Sequence, residues 1–184
     1  MRLIERYTKE IKSKLATDLS IKNTNAVPKL SKVVVNIGTG SRRQQSKFLE
    51  LATKDIALLT GQKPASRAAR KAIAGFKLRS GEVIGLSSTL RGKRMYDFLE
   101  RLIHVVMPRI RDFRGLPLSG FDAQGNYSFG IREHTVFPEI DQERVSEFYG
   151  LGVTIVTTAS SNESAEALLR SLGLPLKHRT EVTE

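Results

Sequence analysis

The fold is best approached from one central stretch of the sequence, Lys32-Val33-Val34-Val35-Asn36-Ile37, which is followed by Gly38-Thr39-Gly40. The run is rich in β-branched residues, which favour extended backbone, and it predicts a mostly buried strand that stops at the glycines. A dinucleotide-binding loop would need another glycine where Arg43 stands, so the pattern argues against that fold. Two interpretations of the turn remain open: a tight strand exit, or a loop whose backbone amides touch nucleic acid together with Asn36.

Helical and strand-like patterns alternate on both sides of this strand. Apolar residues spaced three or four apart predict helices, and β-branched or alternating runs predict strands. The predicted helices cover residues 3–15, 48–59 and 95–106, the last of these ended by Pro108, and a fourth begins at Ser161 or Asn162. Further strands are predicted at residues 65–68, 82–90, 127–131 and 153–158. This order indicates an α+β fold, with an antiparallel or mixed sheet, helices packed on one face and the other face open.

Positive charge is concentrated in the first two thirds of the chain. Residues 1–60 carry 12 Lys/Arg against 5 Asp/Glu, residues 61–114 carry 13 against 4, and residues 115–184 carry 5 against 10. The three segments have net charges of +7, +9 and −5. We expect residues 1–114 to face nucleic acid and residues 115–184 to face solvent or a basic protein. With 184 residues, 40% of them hydrophobic, and no linker-like tract, the chain is predicted to form a single domain over residues 1–184.

Several function classes find little support in the composition. The chain has no cysteine, which excludes thiolate metal sites and disulfides, and its three histidines lack metal-ligand spacing, so we expect no metal and no cofactor. No apolar run approaches the ~20 residues that span a bilayer, and the protein is expected to be soluble and intracellular. Glu133 and His134 are adjacent, and in a strand they would point to opposite faces. A small hydrolase using Asp112 or Glu133 is kept as the alternative from another class.

Residues 60–81 are the most basic part of the chain. They contain six basic residues and no acidic one, with glycines at positions 61, 75 and 81 and one aromatic residue, Phe76. Cations spaced in this way can neutralise successive phosphates, and an aromatic side chain can stack on a base. The segment therefore predicts contact with a nucleic acid, although a solvated basic hairpin has the same composition.

Many segments, taken in chain order, closely resemble the large-subunit ribosomal protein L-five family of the bacterial type. The resemblance covers nearly the whole chain. It rests on Val33-Val34-Val35-Asn36-Ile37-Gly38-Thr39-Gly40, Thr60-Gly61-Gln62-Lys63-Pro64, Ala72-Ile73-Ala74-Gly75-Phe76-Lys77-Leu78-Arg79, Thr89-Leu90-Arg91-Gly92, Pro108-Arg109-Ile110-Arg111-Asp112-Phe113-Arg114-Gly115, Gly125-Asn126-Tyr127, Phe137-Pro138-Glu139-Ile140 and Thr154-Ile155-Val156-Thr157-Thr158-Ala159.

The resemblance implies a structural, non-enzymatic protein that binds 5S rRNA and helps attach it in the central protuberance of the large subunit, beside large-subunit rRNA. The open sheet face would meet 5S rRNA. The implied 5S rRNA contacts are Asn36, Gln62, Lys63, Phe76, Thr89, Arg91 and Lys93, with Arg67, Arg70 and Lys71 as additional phosphate contacts. A free RNA-binding chaperone or regulator is the alternative, and it would not co-sediment stoichiometrically with large subunits.

The resemblance further implies that the loop of residues 72–80 reaches toward peptidyl-site tRNA. The tRNA-contacting residues would be Ile73, Ala74, Gly75, Lys77 and Arg79. In an extended arm, Lys77 and Arg79 would point to one side and Phe76 and Leu78 to the other. Other loops would bridge to the small-subunit protein S-thirteen, and we assign this bridge to residues 109–114 or to the acidic residues 139–147.

The sequence departs from the family pattern at four places. Arg67 stands where a small hydroxyl residue is usual, Ala123 replaces a glycine, His134 replaces a glutamine and Leu151-Gly152 replaces Met-Asp. We expect Arg67 to add to phosphate binding, Ala123 to restrict a turn, and the other changes to lie outside the RNA face. A cytoplasmic ribosome of a bacterium and an organelle ribosome are both compatible with these features.

Overall fold

The computed structural model describes residues 2–40, 45–141 and 148–177. Five strands form one sheet in the order β2-β3-β1-β5-β4. Their bounds are β1 Leu30–Gly38, β2 Ala65–Ala68, β3 Val83–Leu90, β4 Tyr127–Ile131 and β5 Leu151–Thr157. All five strands predicted from the sequence are present, and β5 begins two residues earlier than predicted because Leu151 joins its buried side.

Neighbouring strands run in opposite directions. In the β2–β3 pair, Ala65 lies opposite Ser87 and Ser66 opposite Leu86, which is an antiparallel register. Along β1 and β5, Asn36 lies beside Gly152, and the main-chain N–H of Thr158 donates to Lys29 O at 2.9 Å near the other end. The predicted α+β class, with an antiparallel sheet, is therefore confirmed.

Four helices accompany the sheet among the described residues. Helix α1 runs through Leu3–Arg6, a π-helical turn Tyr7–Ile11 and Lys12–Asp18. Helix α3 has the same kind of interruption and runs through Gly92–Arg101, a π-helical turn Leu102–Val106 and Met107–Arg109. The other two helices are α2 Ser46–Thr60 and α4 Asn162–Ser171. Pro108 lies within the last turn of α3, which ends one residue later. Ser161 begins α4 with a reciprocal cap, since its side chain accepts from Ser164 N and the Ser164 side chain accepts from Ser161 N. No described helix is long and apolar enough to cross a membrane.

The chain divides into two compact units, and the single domain predicted for residues 1–184 stays a prediction. The first unit comprises Met1–Val33, Arg91–Phe129 and Thr154–Glu184, and the second comprises Val34–Leu90 and Gly130–Val153. In the first unit, α1 packs against α3 and α4. The Tyr7 hydroxyl in α1 donates to Pro28 O at 2.9 Å, which ties the helix to the segment before β1.

In the second unit, α2 covers one side of the sheet. Leu86 and Leu90 on β3 are buried on this side, and the Ser88 hydroxyl between them donates to Thr60 Oγ1 of α2 at 3.3 Å. Successive residues of a strand point to opposite faces, so Gly85, Ser87 and Thr89 face away from α2. This second side, which we call the open face, carries Thr89, one of the contacts predicted from the sequence.

Candidate nucleic-acid interface

Asn36 lies on the open face, two residues before the end of β1. Its neighbours Val35 and Ile37 are buried, whereas the Asn36 side chain is exposed, as expected from the alternation of a strand. Among the described residues, none hydrogen-bonds its carboxamide. The amide therefore offers two donors and an acceptor to a ligand without breaking an internal bond.

Gln62 and Thr89 are brought together by a direct hydrogen bond. Helix α2 ends at Thr60, and Gly61 reverses the chain in the left-handed conformation with φ of +67°. The Gln62 side chain that follows is half-buried, and its Nε2 donates to the Thr89 main-chain carbonyl at 2.9 Å. This bond uses one of the two hydrogens on Nε2. Any RNA contact of Gln62 would therefore be made by Oε1 or by the second hydrogen on Nε2.

Arg67 extends the open face to the edge of the sheet. Strand β2 is exposed along its whole length, and Arg67 lies opposite Gly85 on β3, just before a bulge at Ala68. Residues directly opposite each other in antiparallel strands project to the same side, and Gly85 is on the open face. Arg67 thus adds a positive charge at the rim of this face. Lys63, in the turn before β2, is exposed as well.

The segment between β2 and β3 forms a hairpin with a closed tip. Ile73 and Leu78 exchange two main-chain hydrogen bonds of 3.0 and 3.1 Å, and Ala74–Phe76 form a 3-10 turn between them. At the tip, Phe76 is 73% exposed. Arg70, Lys71 and Arg79 are exposed along the arm, which is a cationic surface of the kind that phosphate contacts require.

The expectation of an extended arm through Lys77 is wrong. Lys77 adopts the left-handed conformation with φ of +49°, and its N–H donates to Ala74 O at 2.9 Å. A chain that reverses within four residues needs such a conformation, and here a lysine rather than a glycine supplies it. Strand alternation therefore does not decide where Lys77 and Arg79 point.

Arg91 and Lys93 belong to the first unit. Arg91 is the residue preceding α3, and Lys93 lies in the first turn of that helix. Both side chains are exposed. They follow Leu90 directly in the chain, so the end of β3 leads into a short basic segment.

A buried polar cluster in the second unit was not predicted from the sequence. His134 is 1% exposed and stacks on the Tyr149 ring at 3.7 Å between centroids, with 15° between the planes. The Tyr149 hydroxyl donates to Asp55 Oδ2 at 2.5 Å, and His134 Nε2 lies 3.9 Å from the same oxygen. His134 Nδ1 is buried without a hydrogen-bond partner among the described residues. Tyr149 and Asp55 lie too far from His134 in the chain for any sequence pattern to join them.

Burial controls the ionisation of this cluster. It lowers the pKa of His134 below its ordinary value of 6.5, against the opposing effect of the Asp55 carboxylate. Burial, together with the hydrogen bond to Asp55, raises the pKa of Tyr149. The cluster is therefore held as a neutral imidazole and a protonated phenol at neutral pH.

The remaining departures from the family pattern have simple structural outcomes. Ala123 is accommodated without a left-handed backbone, because the turn is held by Asp122, whose Oδ1 accepts from Gln124 N and Asn126 N at 2.8 Å each. The hydrogen bonds from Asn126 and Gln124 also lower the pKa of Asp122. Gly152 was expected to lie outside the RNA face, and this expectation is wrong: β5 neighbours β1, and Gly152 lies beside Asn36 on the open face.

The alternative catalytic residues lie on the surface. The Asp112 side chain is 87% exposed, and Glu133 is exposed while the adjacent His134 is buried. Within residues 2–40, 45–141 and 148–177, no group of acidic or histidine side chains could hold a metal ion. Of the acidic segment assigned to the bridge, residues 142–147 fall outside the described residues.

Comparison with known proteins covers almost the whole chain. The family described as Ribosomal protein L5 matches residues 23–79, and the model of the C-terminus of the ribosomal L5 family matches residues 83–176. The large ribosomal subunit protein uL5 of Syntrophomonas wolfei is 51% identical over 96% of this chain and 99% of its own length, and that of Synechococcus sp. is 50% identical over 97% and 99%. The large ribosomal subunit protein uL5c of Paulinella chromatophora is 48% identical over 96% and 99%.

These matches run through both compact units and include every strand of the sheet. They agree with the open, arginine-rimmed sheet face and with the basic hairpin, which are features of an RNA-binding surface rather than of a catalytic cleft. The chain belongs to the ribosomal protein L5 family and is a structural, non-enzymatic protein of the large ribosomal subunit.

Proposed function

We propose that the protein binds 5S rRNA through the open face of its second unit and helps to attach this RNA in the central protuberance of the large subunit. The observation that carries the proposal is the exposed Asn36 carboxamide, which lies on the side of the sheet that α2 leaves uncovered. A polar group held on a strand suits base recognition, because the strand fixes its position before the RNA arrives.

Phosphate contacts would surround this central amide. Arg67 at the rim of the open face, and Lys63, Arg70 and Lys71 near it in the chain, supply exposed cations. Phosphate contacts position an RNA without reading its sequence, whereas amide contacts to base edges or 2′-hydroxyls discriminate. We assign positioning to these cations and discrimination to Asn36, Gln62 and Thr89. Arg91 and Lys93 of the first unit would add phosphate contacts of their own.

The hairpin tip would serve a second RNA. We assign Ile73, Ala74, Gly75, Lys77 and Arg79 to contact with peptidyl-site tRNA, and Phe76 to 5S rRNA. The closed Ile73–Leu78 pair supports this role, since it keeps the tip ordered and projecting. The exposed Phe76 ring can stack on an unpaired base or pack against a ribose.

Contacts with large-subunit rRNA and with the small-subunit protein S-thirteen complete the proposal. The segment of residues 109–114 in the first unit begins with the last residue of α3 and carries three arginines, and the side chains of Arg111 and Asp112 are 97% and 87% exposed. Asp112 has a positive φ of 54°, which turns the chain sharply at the loop's centre. An exposed, sharply turned basic loop is suited to a bridge contact with an acidic surface or with RNA.

Equilibrium binding to an in vitro transcript of a bacterial 5S rRNA tests the proposal. The expected result is tight binding to 5S rRNA and at least tenfold weaker binding to tRNA and to random RNA of equal length at the same salt. Equal affinity for all three RNAs would refute specific recognition. Stoichiometric co-sedimentation with large subunits separates a ribosomal protein from a free RNA chaperone, which would stay in the supernatant.

A further inference from the structure

The segment of residues 174–177 pairs with the chain directly after the arginines of residues 109–114. Leu116 N donates to Pro175 O at 2.8 Å, and Lys177 N donates to Leu116 O at 2.9 Å, which is the pattern of a parallel bridge. Both segments belong to the first unit. Two parts of the chain that are far apart in the sequence are therefore joined next to the arginines.

The Lys177 side chain lies against the end of the arginine-bearing segment. A β-carbon built on Gly115 would stand 3.3 Å from Lys177 Cγ and 3.3 Å from Pro175 O. Gly115 also has a φ of +86°, a conformation that other residues rarely adopt. The glycine therefore leaves room for the aliphatic part of Lys177, and a fourth basic side chain joins the segment immediately after Arg114.

Arg170 holds this arrangement together from the last turn of α4. Its Nη1 donates to Leu176 O at 3.2 Å, and its Nη2 donates to Lys177 O at 2.6 Å. Its Nε donates to Glu166 Oε1 at 2.8 Å, so its charge is paired with a carboxylate. The planar guanidinium group can make these bonds together because its donors form a rigid fork. Arg170 thus fixes the main chain on which Lys177 stands.

The surface formed by these segments presents charge and little apolar area. Arg109, Arg114 and Lys177 are exposed, and the Arg111 side chain is 97% exposed. Among the described residues, the large hydrophobic side chains that are exposed all lie outside residues 109–117 and 174–177. A protein interface is usually centred on buried aromatic or apolar anchors, whereas phosphate contacts need exposed cations. The surface therefore suits the backbone of an RNA better than another protein.

We propose that Lys177 and the arginines at positions 109, 111 and 114 form one phosphate-binding surface for RNA, and that Arg170 is the positioning residue that holds Lys177 in it. The inference rests on the proposed binding of ribosomal RNA. It concerns a surface of the first unit, however, and not the open face, so the two assignments can be tested separately.

Salt titrations of charge-removing variants test the surface. Lys177→Gln should lower the log–log slope of RNA binding against salt by about 0.8, and Arg111→Gln should do the same, because each variant loses one phosphate contact. Lys9→Gln is the matched control. It removes the same charge at an exposed position of α1 in the same unit, and it should leave the slope unchanged. Circular dichroism checks that the fold of each variant is intact.

Two RNA probes identify the source of the phosphates. A 5S rRNA transcript and a protein-free large-subunit rRNA transcript are titrated separately, and the RNA whose slope falls in Lys177→Gln is the one that the surface contacts. Unchanged slopes for both RNAs would overturn the inference. An equal fall in Lys9→Gln would also overturn it, since the slope would then follow only the net charge. Unchanged slopes together with weaker association of the two ribosomal subunits would assign the surface to a protein instead.

Arg170→Lys tests the positioning role at constant net charge. An ammonium group lacks the fork that reaches both main-chain carbonyls, so the Lys177 N–H should exchange with solvent about tenfold faster, and the salt slope should fall toward that of Lys177→Gln. Arg6→Lys makes the same substitution at an exposed position of α1 and should change neither quantity. Unchanged exchange of the Lys177 N–H, or faster exchange with an unchanged slope, would overturn the positioning role.

Comparison with Asn36→Ala keeps this inference separate from the proposed function. If Asn36→Ala binds 5S rRNA like the wild type while Lys177→Gln lowers the slope, the assignment of the open face fails and the surface of the first unit stands. If Asn36→Ala weakens binding while Lys177→Gln leaves both slopes unchanged, the open face stands and this inference fails.

Discussion

The open face and the hairpin of residues 69–82 are both assigned to RNA, but the protein holds them differently. On the open face, Asn36 lies across a neighbouring strand, and Gln62 is tied to Thr89 by a 2.9 Å bond. The hairpin is held mainly by its own main-chain hydrogen bonds and presents exposed cations and Phe76 at its tip. From this difference we propose a division of work: amides on the sheet discriminate between RNAs, and the projecting hairpin adds charge and reaches a second RNA.

The salt dependence of 5S rRNA binding should give the largest effect, and it tests whether the exposed cations contact phosphates. If about four phosphates are neutralised, a fourfold rise in salt should weaken 5S rRNA binding about a hundredfold, since each contact contributes a little under one to the log–log slope. Replacing Arg70 and Lys71 with glutamine should lower that slope by about 1.5. Filter-binding titrations at four salt concentrations measure it. An unchanged slope would show that the hairpin base does not contact phosphate.

Asn36→Ala tests whether the amide on the open face discriminates between RNAs. We expect a loss of about tenfold in 5S rRNA affinity, about 1–2 kcal/mol, because a base or ribose group would be left unpaired. The slope with salt should stay unchanged, since no charge is removed. Lys47→Ala, on α2 at the side away from the open face, is the control and should bind like the wild type in a gel-shift assay. Similar losses at both positions, with unchanged circular dichroism, would rule out the open face as the site.

Gln62→Ala should weaken both the fold and RNA binding, unlike Asn36→Ala. Its hydrogen bond to the Thr89 carbonyl would be lost, so unfolding free energy should fall by about 1 kcal/mol as well as the affinity for 5S rRNA. Asn36→Ala breaks no internal hydrogen bond and should leave the unfolding free energy within ~0.5 kcal/mol. Urea unfolding of both variants distinguishes them. A stability loss in Asn36→Ala equal to that in Gln62→Ala would contradict the picture of an amide that serves only the ligand.

Replacing residues 74–79 with a short Gly/Ser linker should change 5S rRNA affinity only a few fold. The same variant should release peptidyl-site tRNA faster from reconstituted ribosomes, because a flexible uncharged chain lacks the order and charge of the hairpin tip. Dissociation of labelled tRNA from ribosomes containing either protein is the measurement. Unchanged tRNA release combined with lost 5S rRNA binding would mean that the tip serves 5S rRNA instead.

The smallest effect concerns the scaffold behind the interface and depends on pH. Burial lowers the pKa of His134 in the folded protein below 6.5, so below that pH the unfolded chain takes up a proton that the folded protein excludes. Stability should therefore fall as the pH drops from about 7 to 5, by at most about 1.4 kcal/mol per pH unit from this group. His134→Gln should flatten this dependence in urea titrations. An identical pH profile for wild type and His134→Gln would contradict the assignment.

The sequence predicted the helices and strands well, because residue spacing and turn residues act over a few neighbouring positions. The bounds of β2 and β4 agree with the prediction, and Gly61 ends α2 as its dihedral freedom suggests. The functional assignments of Asn36, Gln62 and Thr89 came from resemblance to a family rather than from the pattern of residues. The structure places Gln62 against Thr89 and leaves the role of all three in RNA binding as a prediction.

Contacts between distant parts of the chain were beyond the reach of the sequence. Nothing in the residues around Gly152 indicates that β5 lies next to β1, so its place under Asn36 could only follow from the strand order. The stacking of His134 on Tyr149 joins residues from two separate segments for the same reason. The tip of the hairpin was mispredicted because alternation assumes a strand, whereas a four-residue reversal replaces it with a 3-10 turn.

Directed cleavage of bound RNA locates 5S rRNA relative to the open face. The chain has no cysteine, so a single Ala65→Cys or Leu58→Cys variant carries a hydroxyl-radical probe at one known place. Ala65 is exposed opposite Ser87 on the side of the open face, whereas Leu58 is 60% exposed on α2, which packs on the other side of the sheet. We expect strong, localised cleavage of 5S rRNA from position 65 and little from position 58. Strong cleavage from position 58 with none from position 65 would contradict it.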